Sequence, residues 1–113
     1  KGMTDEAAAQ YLEILKLYPT HPVSNYELGS IYMEKGMLDE AIVHYGRAAS
    51  YFRDPMDIRD ALLNIGNCFI KKGDFNEALS SYQEALRITP GDPIVLKNIS
   101  VLESLSNKQG GLN

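Results

Sequence analysis

The side chains that most often perform catalysis or bind metals are few and scattered in this 113-residue chain. Its two histidines, His21 and His44, share no helical face, and its single cysteine, Cys68, has no second cysteine beside it. A structural zinc site needs four such ligands and a catalytic one three. We therefore predict no cofactor, no metal site and no enzymatic activity, and we interpret both histidines as surface residues.

Three glutamates recur beside predicted turns, at Glu6, Glu40 and Glu77. Paired carboxylates can act as general acids and bases, but each of these residues opens a predicted helix, where negative charge interacts favourably with the helix dipole. No glycine-rich loop follows a strand, because the pattern predicts no strands. These glutamates therefore indicate helix starts and not a catalytic site.

Composition narrows the possible partners. The formal net charge is −4, whereas a nucleic-acid-binding protein normally carries a basic patch, so we predict no nucleic-acid partner. The chain has no apolar run long enough to span a bilayer and no secretory segment, so we predict no direct membrane insertion. One cysteine cannot form an internal disulfide, and we expect a cytoplasmic protein.

The helices of this chain are predicted most clearly in the stretch 60–90. It contains two amphipathic patterns separated by a turn around Gly73. The first helix carries an apolar stripe at Leu62, Ile65 and Phe69, with Gly66 inside it. The second helix carries a matching stripe at Ala78, Tyr82 and Ala85. We expect the glycine to lie opposite an alanine, so that the two helices approach closely.

The same pattern recurs along the chain. The segment after each of three Lys-Gly pairs ends in an acidic residue followed by alanine, and Gly2, Gly36 and Gly73 are 34 and 37 residues apart. A helix–turn–helix unit with a period near 34 is typical of tetratricopeptide repeats. The central repeat resembles that family at Leu62, Ile65, Gly66, Phe69, Ala78, Tyr82, Ala85 and Pro90, with Leu62 in place of the usual tryptophan. The repeat before it matches at Leu28, Gly29, Tyr32, Ala41, Tyr45 and Ala48, with Asn25 in place of the usual tryptophan.

The resemblance implies an all-α fold, a right-handed α-solenoid of antiparallel helix pairs, in which Cys68 is a buried core residue. We divide the array, residues 1–106, into the second half of a repeat (1–20), a full repeat (22–54), a full repeat with an elongated first helix (55–92) and a capping helix (93–106). Residues 107–113 are expected to be a frayed tail. Because the chain opens inside a repeat without a methionine, we expect a piece of a longer protein. Gly46, inside a helix, is expected at a crowded helix–helix contact.

The family geometry also implies that the first helix of each pair lines a concave groove. Helical spacing places on that side Tyr26, Ser30, Met33, Leu63, Asn64, Asn67, Ile70, Lys97, Asn98 and Val101, with Val23, Asp60 and Ile94 at its upper edge. We predict that this groove binds a peptide or a helical segment of a partner protein. The asparagines would hydrogen-bond the backbone of that segment. Some of the apolar residues could instead pack between adjacent helices.

Two further functions stay open. The opening helix has an unpaired stripe, Ala8, Leu12 and Leu15, through which the protein could form a homo-oligomer. The array could also be a non-catalytic arm of a larger enzyme. A third use of the family, a basic clamp for a partner's terminal carboxylate, is not predicted, because Tyr26, Ile94 and Asn98 replace its cationic residues.

Overall fold

The computed structural model describes residues 2–108, which form six helices and, within that range, no strand. The helices are α1 (Gly2–Leu17), α2 (Pro22–Glu34), α3 (Leu38–Tyr51), α4 (Pro55–Lys72), α5 (Phe75–Ile88) and α6 (Pro93–Lys108). Each helix packs on the next one along the chain, and the array measures 43 × 29 × 19 Å. The predicted all-α solenoid of helix pairs is confirmed.

Local sequence signals set most helix ends. Gly36 and Gly73 adopt left-handed φ values of +77° and +82°, which glycine reaches at low cost, and each ends the first helix of a pair. At the start of α4 the Asp54 carboxylate accepts a hydrogen bond of 2.8 Å from the amide of Met56, with Pro55 in the first turn. These features set the limits of helices in the two complete pairs, α2–α3 and α4–α5.

The C-terminal end of the array differs from prediction. Helix α6 continues through Lys108, and Ser106 in its last turns is buried. Residues 107 and 108 are thus helical, whereas the rest of the predicted tail, 109–113, and Lys1 lie outside the described residues.

The core repeats one contact in both complete pairs. Gly29 faces the ring of Tyr45, and Gly66 faces the ring of Tyr82 even more closely, so that an added Cβ would overlap either ring. The glycines thus lie opposite tyrosines and not, as expected, opposite alanines. The alanines Ala41, Ala48, Ala78 and Ala85 of the second helices are fully buried as well. Small residues therefore make room for a large aromatic side chain on the partner helix.

The expectation for Gly46 is wrong. No atom lies within 4 Å of a Cβ built at this residue, so nothing crowds it. Gly46 opens onto a groove of about 350 Å³ whose other lining residues are Ala49, Ser50, Ile58, Leu62, Ile65, Glu84 and Ile88. Ile58, in the predicted extension of α4, thus borders this groove, while Met56 is half exposed.

Ion pairs that the sequence analysis did not anticipate join successive units. Lys35 donates to Asp5 at 2.6 Å, and Lys72, at the matching place one repeat later, donates to Asp39 at 2.5 Å. These two pairs are solvent-exposed, and pairs of that kind add little stability. They nevertheless tie the C-terminal end of each first helix to the start of the preceding second helix.

A buried ion pair joins α4 to the turn before α6. Arg59 donates to Asp92 at 2.7 Å, and both side chains are less than a tenth exposed. Asp92 also accepts from the hydroxyl of Thr89 and from the amide of Ile94, so that its carboxylate caps α6. Hydrogen bonding to Arg59 lowers the pKa of Asp92, and the carboxylate stays charged at neutral pH.

Candidate functional site: the first-helix face

The predicted binding surface is formed by residues of α2, α4 and α6. We call this surface the first-helix face and define it by Tyr26, Met33, Asn64, Asn67, Ile70, Asn98 and Val101. One contact joins its first two helices: the side-chain amide of Asn64 donates to the hydroxyl of Tyr26 at 2.7 Å. The Tyr26 ring packs edge-on against Tyr45 at 5.3 Å and Phe52 at 6.0 Å between ring centres. Tyr26 is therefore fixed in place before any partner binds.

Leu63 does not belong to this surface, and its predicted exposure is wrong. Its side chain is only 7% exposed and joins the core cluster that contains Tyr82, Val95 and Leu102. Leu63 precedes Gly66 by three residues, as Tyr26 precedes Gly29, so the two occupy equivalent places. In α4 this position is covered by residues of α6. A partner segment cannot contact Leu63 without opening the core.

Ser30 and Asn67, which directly follow the two glycines, bind tyrosines of their own repeats. The hydroxyls of Ser30 and Tyr45 are 2.8 Å apart, and the hydroxyl of Tyr82 donates to the carbonyl oxygen of the Asn67 side chain. Burial raises the pKa of Tyr45 and Tyr82 to about 12, so both stay neutral. Asn67 retains its amide N–H groups, whereas Ser30 acts mainly in holding α3 to α2.

The remaining predicted residues range from partly buried to exposed. Met33 and Ile70 are partly buried and pack against the core with one side. Asn98 is partly buried, Lys97 is exposed, and Val101 is 48% exposed. The most open part of the first-helix face therefore lies on α6, where Ile94 is also 51% exposed.

Sequence reasoning missed part of a pocket between α2 and α4. This cavity of about 260 Å³ is lined by Val23, Tyr26, Glu27, Phe52, Asp57 and Asp60. Burial, followed by the charges of the nearby carboxylates, raises the pKa of Tyr26. The spacing of Asp57 and Asp60, one helical turn apart, was the available signal. Glu27 and Phe52 come from other segments that only the fold brings together.

His44 is not the surface residue that was predicted. It is partly buried, and its Nδ1 lies 2.9 Å from the side-chain oxygen of Asn25. That oxygen can only accept, so the His44 Nδ1–H donates. The fully buried Asn25 in turn donates to the backbone oxygens of Pro19 and His21, at 3.2 and 3.1 Å. Burial lowers the pKa of His44, which favours the neutral ring.

His21 caps α2. Its Nδ1 accepts a hydrogen bond of 3.1 Å from the amide of Ser24, in the role usually played by a short polar side chain. Both histidines therefore take part in local hydrogen bonding around α2. Over residues 2–108, no cluster of three or more histidine, cysteine or acidic residues is arranged to hold a metal ion.

Comparison with known proteins agrees with this geometry. Residues 20–91 match the family model described as tetratricopeptide repeat. The chain belongs to the tetratricopeptide repeat family. Over 94 residues it is 34% identical to photosystem I assembly protein Ycf3 of Synechococcus elongatus, covering 79% of this chain and 54% of the relative. Over 100 residues it is 31% identical to the BBSome complex member bbs-4 of Caenorhabditis elegans, covering 88% and 21%. The array thus spans about half of the first relative's length and a fifth of the second's.

Solved structures show the same fold. The Yersinia enterocolitica type III secretion chaperone SycD, in complex with a peptide of the translocator YopD, superposes with a TM-score of 0.76 at 23% identity, covering 96% of this chain and 83% of that one. The N-terminal domain of stress-induced protein-1 from C. elegans gives 0.75 at 21%, covering 91% and 98%. None of the helices in residues 2–108 of this tetratricopeptide array is both long and apolar enough to cross a membrane.

Proposed function

We propose that this tetratricopeptide array is a non-catalytic interaction module that holds a peptide or helical segment of a partner protein against its first-helix face. The observation that carries the proposal is the exposed apolar stripe of α6, formed by Ile94, Val101 and Leu105, which are 51%, 48% and 36% exposed. These residues recur at helical spacing on one side of α6, with Asn98 between them. Contiguous apolar surface rimmed by polar groups is typical of protein-binding sites.

Residue roles follow from exposure and hydrogen bonding. Tyr26, Met33, Ile70 and Val101 would supply apolar contact. Asn64, Asn67 and Asn98 would orient the backbone of the partner, and the free N–H groups of Asn67 suit a carbonyl acceptor. Lys97 would lie at the rim, where charge affects association rates more than affinity. The SycD complex supports this proposal, because a protein of the same fold binds a peptide.

The test is selection of peptides from a random library displayed on phage, followed by mapping of the bound peptide by amide NMR. We expect shifts at α2, α4 and α6. Val101→Glu should weaken the selected peptide by roughly tenfold, as loss of a central contact does. Leu96→Glu is the matched control, because Leu96 is 46% exposed on another side of the same helix. Equal binding by both variants, or shifts confined to α1, α3 and α5, would refute the proposal.

We extend the proposal to a cytoplasmic location. Cys68 is a free thiol buried in the core, and burial raises its pKa, so it is unreactive. A protein without a disulfide among its described residues suits a reducing compartment. Fluorescence microscopy of the tagged natural protein checks this, and accumulation in an oxidising compartment would contradict it.

Self-association through α1 is the second candidate function. Helix α1 has no fully buried residue, and Met3, Leu17 and Tyr18 are 83%, 74% and 63% exposed. Of the stripe named from the sequence, Ala8 and Leu15 are partly buried and only Leu12 is exposed. Light scattering over a wide concentration range should then show a dimer that Leu17→Glu dissociates. Val43→Glu, at an exposed apolar residue of α3, is the control, and a monomer throughout would exclude this function.

A further inference from the structure

We infer that the partner segment carries a basic side chain, most suitably arginine, which occupies the pocket between α2 and α4. This inference rests on the proposed function and specifies the chemistry of the partner. The pocket lies at the upper edge of the first-helix face, where α2, α4 and the link after α3 meet. Its lining residues are Val23, Tyr26, Glu27, Phe52, Asp57 and Asp60.

The walls of the pocket suit a long side chain with a planar cationic end. The rings of Tyr26 and Phe52 meet edge-on, at 65° and 6.0 Å between centres, and Val23 adds a third apolar surface. The aliphatic stem of arginine packs on such surfaces while its charged end stays near water. A guanidinium also stacks on an aromatic face, which an ammonium does less well. At about 260 Å³ the cavity has room for several water molecules, so a side chain can enter it.

The charge of the pocket is negative and incompletely balanced. Glu27, Asp57 and Asp60 line it, and no lysine or arginine does. Within residues 2–108 the carboxylates of Glu27 and Asp57 have no hydrogen-bond or ion-pair partner. Asp57 lies in the first turn of α4, where the helix dipole offsets part of its charge, but Glu27 lies inside α2.

Arg59 does not neutralise the pocket, because it is shared. Its Nε and Nη2 donate to Asp60, at 3.1 and 2.9 Å, while its Nη1 donates to the buried Asp92. One guanidinium thus serves two carboxylates, and negative charge remains beside the ring of Tyr26, whose pKa the three lining carboxylates raise in addition to burial. A cationic group from a partner would complete this charge balance.

The equivalent place between α4 and α6 is neutral. Counted from the helix glycine, Tyr26 and Glu27 of α2 correspond to Leu63 and Asn64 of α4. Ser100 takes the place of the glycine in α6, so Asp60, six residues before Gly66, corresponds to Ile94, six residues before Ser100. The charged pocket is therefore a property of one end of the first-helix face and not of every repeat. A segment bound there would place its basic residue at α2 and α4 and its apolar residues over α6.

The test uses two blocked tripeptides of the same shape, acetyl-Ala-Arg-Ala-amide and its citrulline analogue, which lacks the charge. Amide NMR of the full chain should show saturable shifts at Tyr26, Phe52 and Asp60 with the arginine peptide, weakened by added salt. The double variant Glu27→Gln/Asp57→Asn should bind about three- to tenfold more weakly, as expected for two exposed charge pairs. Glu6→Gln/Glu103→Gln changes the net charge equally at exposed sites elsewhere and should bind normally.

The outcomes separate this inference from the proposed function. If library peptides bind the first-helix face without enrichment of arginine or lysine, and the citrulline peptide binds as well as arginine, the inference is wrong and the proposed function stands. If the arginine peptide saturates the pocket while the library yields no peptide on this face, the pocket is supported and groove binding is not. Failure of both probes would overturn both.

Discussion

The two complete repeats, α2–α3 and α4–α5, share one contact and differ in almost everything around it. In each repeat a glycine of the first helix meets a tyrosine ring of the second, and the residue after the glycine binds the tyrosine hydroxyl. The two repeats differ at the position four residues before this glycine. The first repeat has the fully buried Asn25 there, and the second has the partly buried Leu62.

The residues at this position stabilise the two repeats through different interactions. Asn25 connects three segments through directional hydrogen bonds, to His44, Pro19 and His21. Leu62 instead packs against both core clusters and fills space between them. The contact of glycine with tyrosine sets the distance between the helices, and the neighbouring position can then be polar or apolar. We therefore expect the first repeat to be sensitive to loss of polar partners and the second to changes in volume.

Gly66→Ala is one of the two substitutions with the largest expected effect. An added Cβ would lie well inside contact distance of the buried Tyr82 ring, and it would lie 2.9 Å from the Tyr45 ring in Gly29→Ala. Overpacking costs about 1–3 kcal/mol, offset in part by alanine's better helix propensity. Gly66→Ala should lower the free energy of unfolding by roughly 2 kcal/mol and Gly29→Ala by about half as much. Urea unfolding followed by circular dichroism measures both, and a larger loss at Gly29 would reverse the ranking.

Asn25→Leu makes the first repeat resemble the second and should also destabilise the protein. It removes the acceptor of His44 Nδ1–H and the donors to two backbone oxygens, and each buried polar group left unpaired costs about 1–3 kcal/mol. We expect a loss of about 2 kcal/mol in the free energy of unfolding. A double-mutant cycle with His44→Ala should show coupling of about 1 kcal/mol. Additive losses would mean that the two side chains do not stabilise each other.

The sequence predicted the fold well and the site less well, for a physical reason. Helix limits depend on local signals such as Pro22, Asp54, Gly36 and Gly73, which can be recognised in the sequence alone. Whether a residue on a helix is exposed depends on what a later helix covers, which is why Leu63 was misplaced. Arg59 could not be paired with Asp92 without knowing that residues 33 positions apart meet. The pocket needed Phe52 and Glu27 together, from segments with no common pattern.

The tyrosines of the two repeats should respond alike to alkaline pH. Burial raises the pKa of Tyr45 and Tyr82 to about 12, whereas an unfolded tyrosine titrates near pH 10. Between about pH 10 and 12 the unfolded chain loses protons that the folded chain keeps, so the free energy of unfolding falls as pH rises. At about pH 11 the loss should be roughly 1 kcal/mol for each tyrosine.

Tyrosine-to-phenylalanine variants isolate this effect from the titration of lysines. Tyr45→Phe and Tyr82→Phe should each reduce the alkaline loss by a similar amount, and the double variant should remove both contributions. Urea unfolding at a series of pH values provides the comparison. If the free energy of unfolding of one variant falls with rising pH as much as that of the parent, the tyrosine hydroxyl of that repeat is accessible to solvent.

The smallest predicted effect concerns the residue after each tyrosine. Gly46 follows Tyr45, and the exposed Gln83 follows Tyr82. Because a Cβ at Gly46 meets no atom within 4 Å, Gly46→Ala should gain helix propensity without strain and raise the free energy of unfolding by up to about 1 kcal/mol. Gln83→Gly should lower the free energy of unfolding by a similar amount, since it places a glycine, which has low helix propensity, inside α5. If Gly46→Ala were neutral or destabilising, something must occupy the groove beside α3 in solution. A second molecule of the array would be the first species to look for, by light scattering of the variant and the parent at matched concentrations.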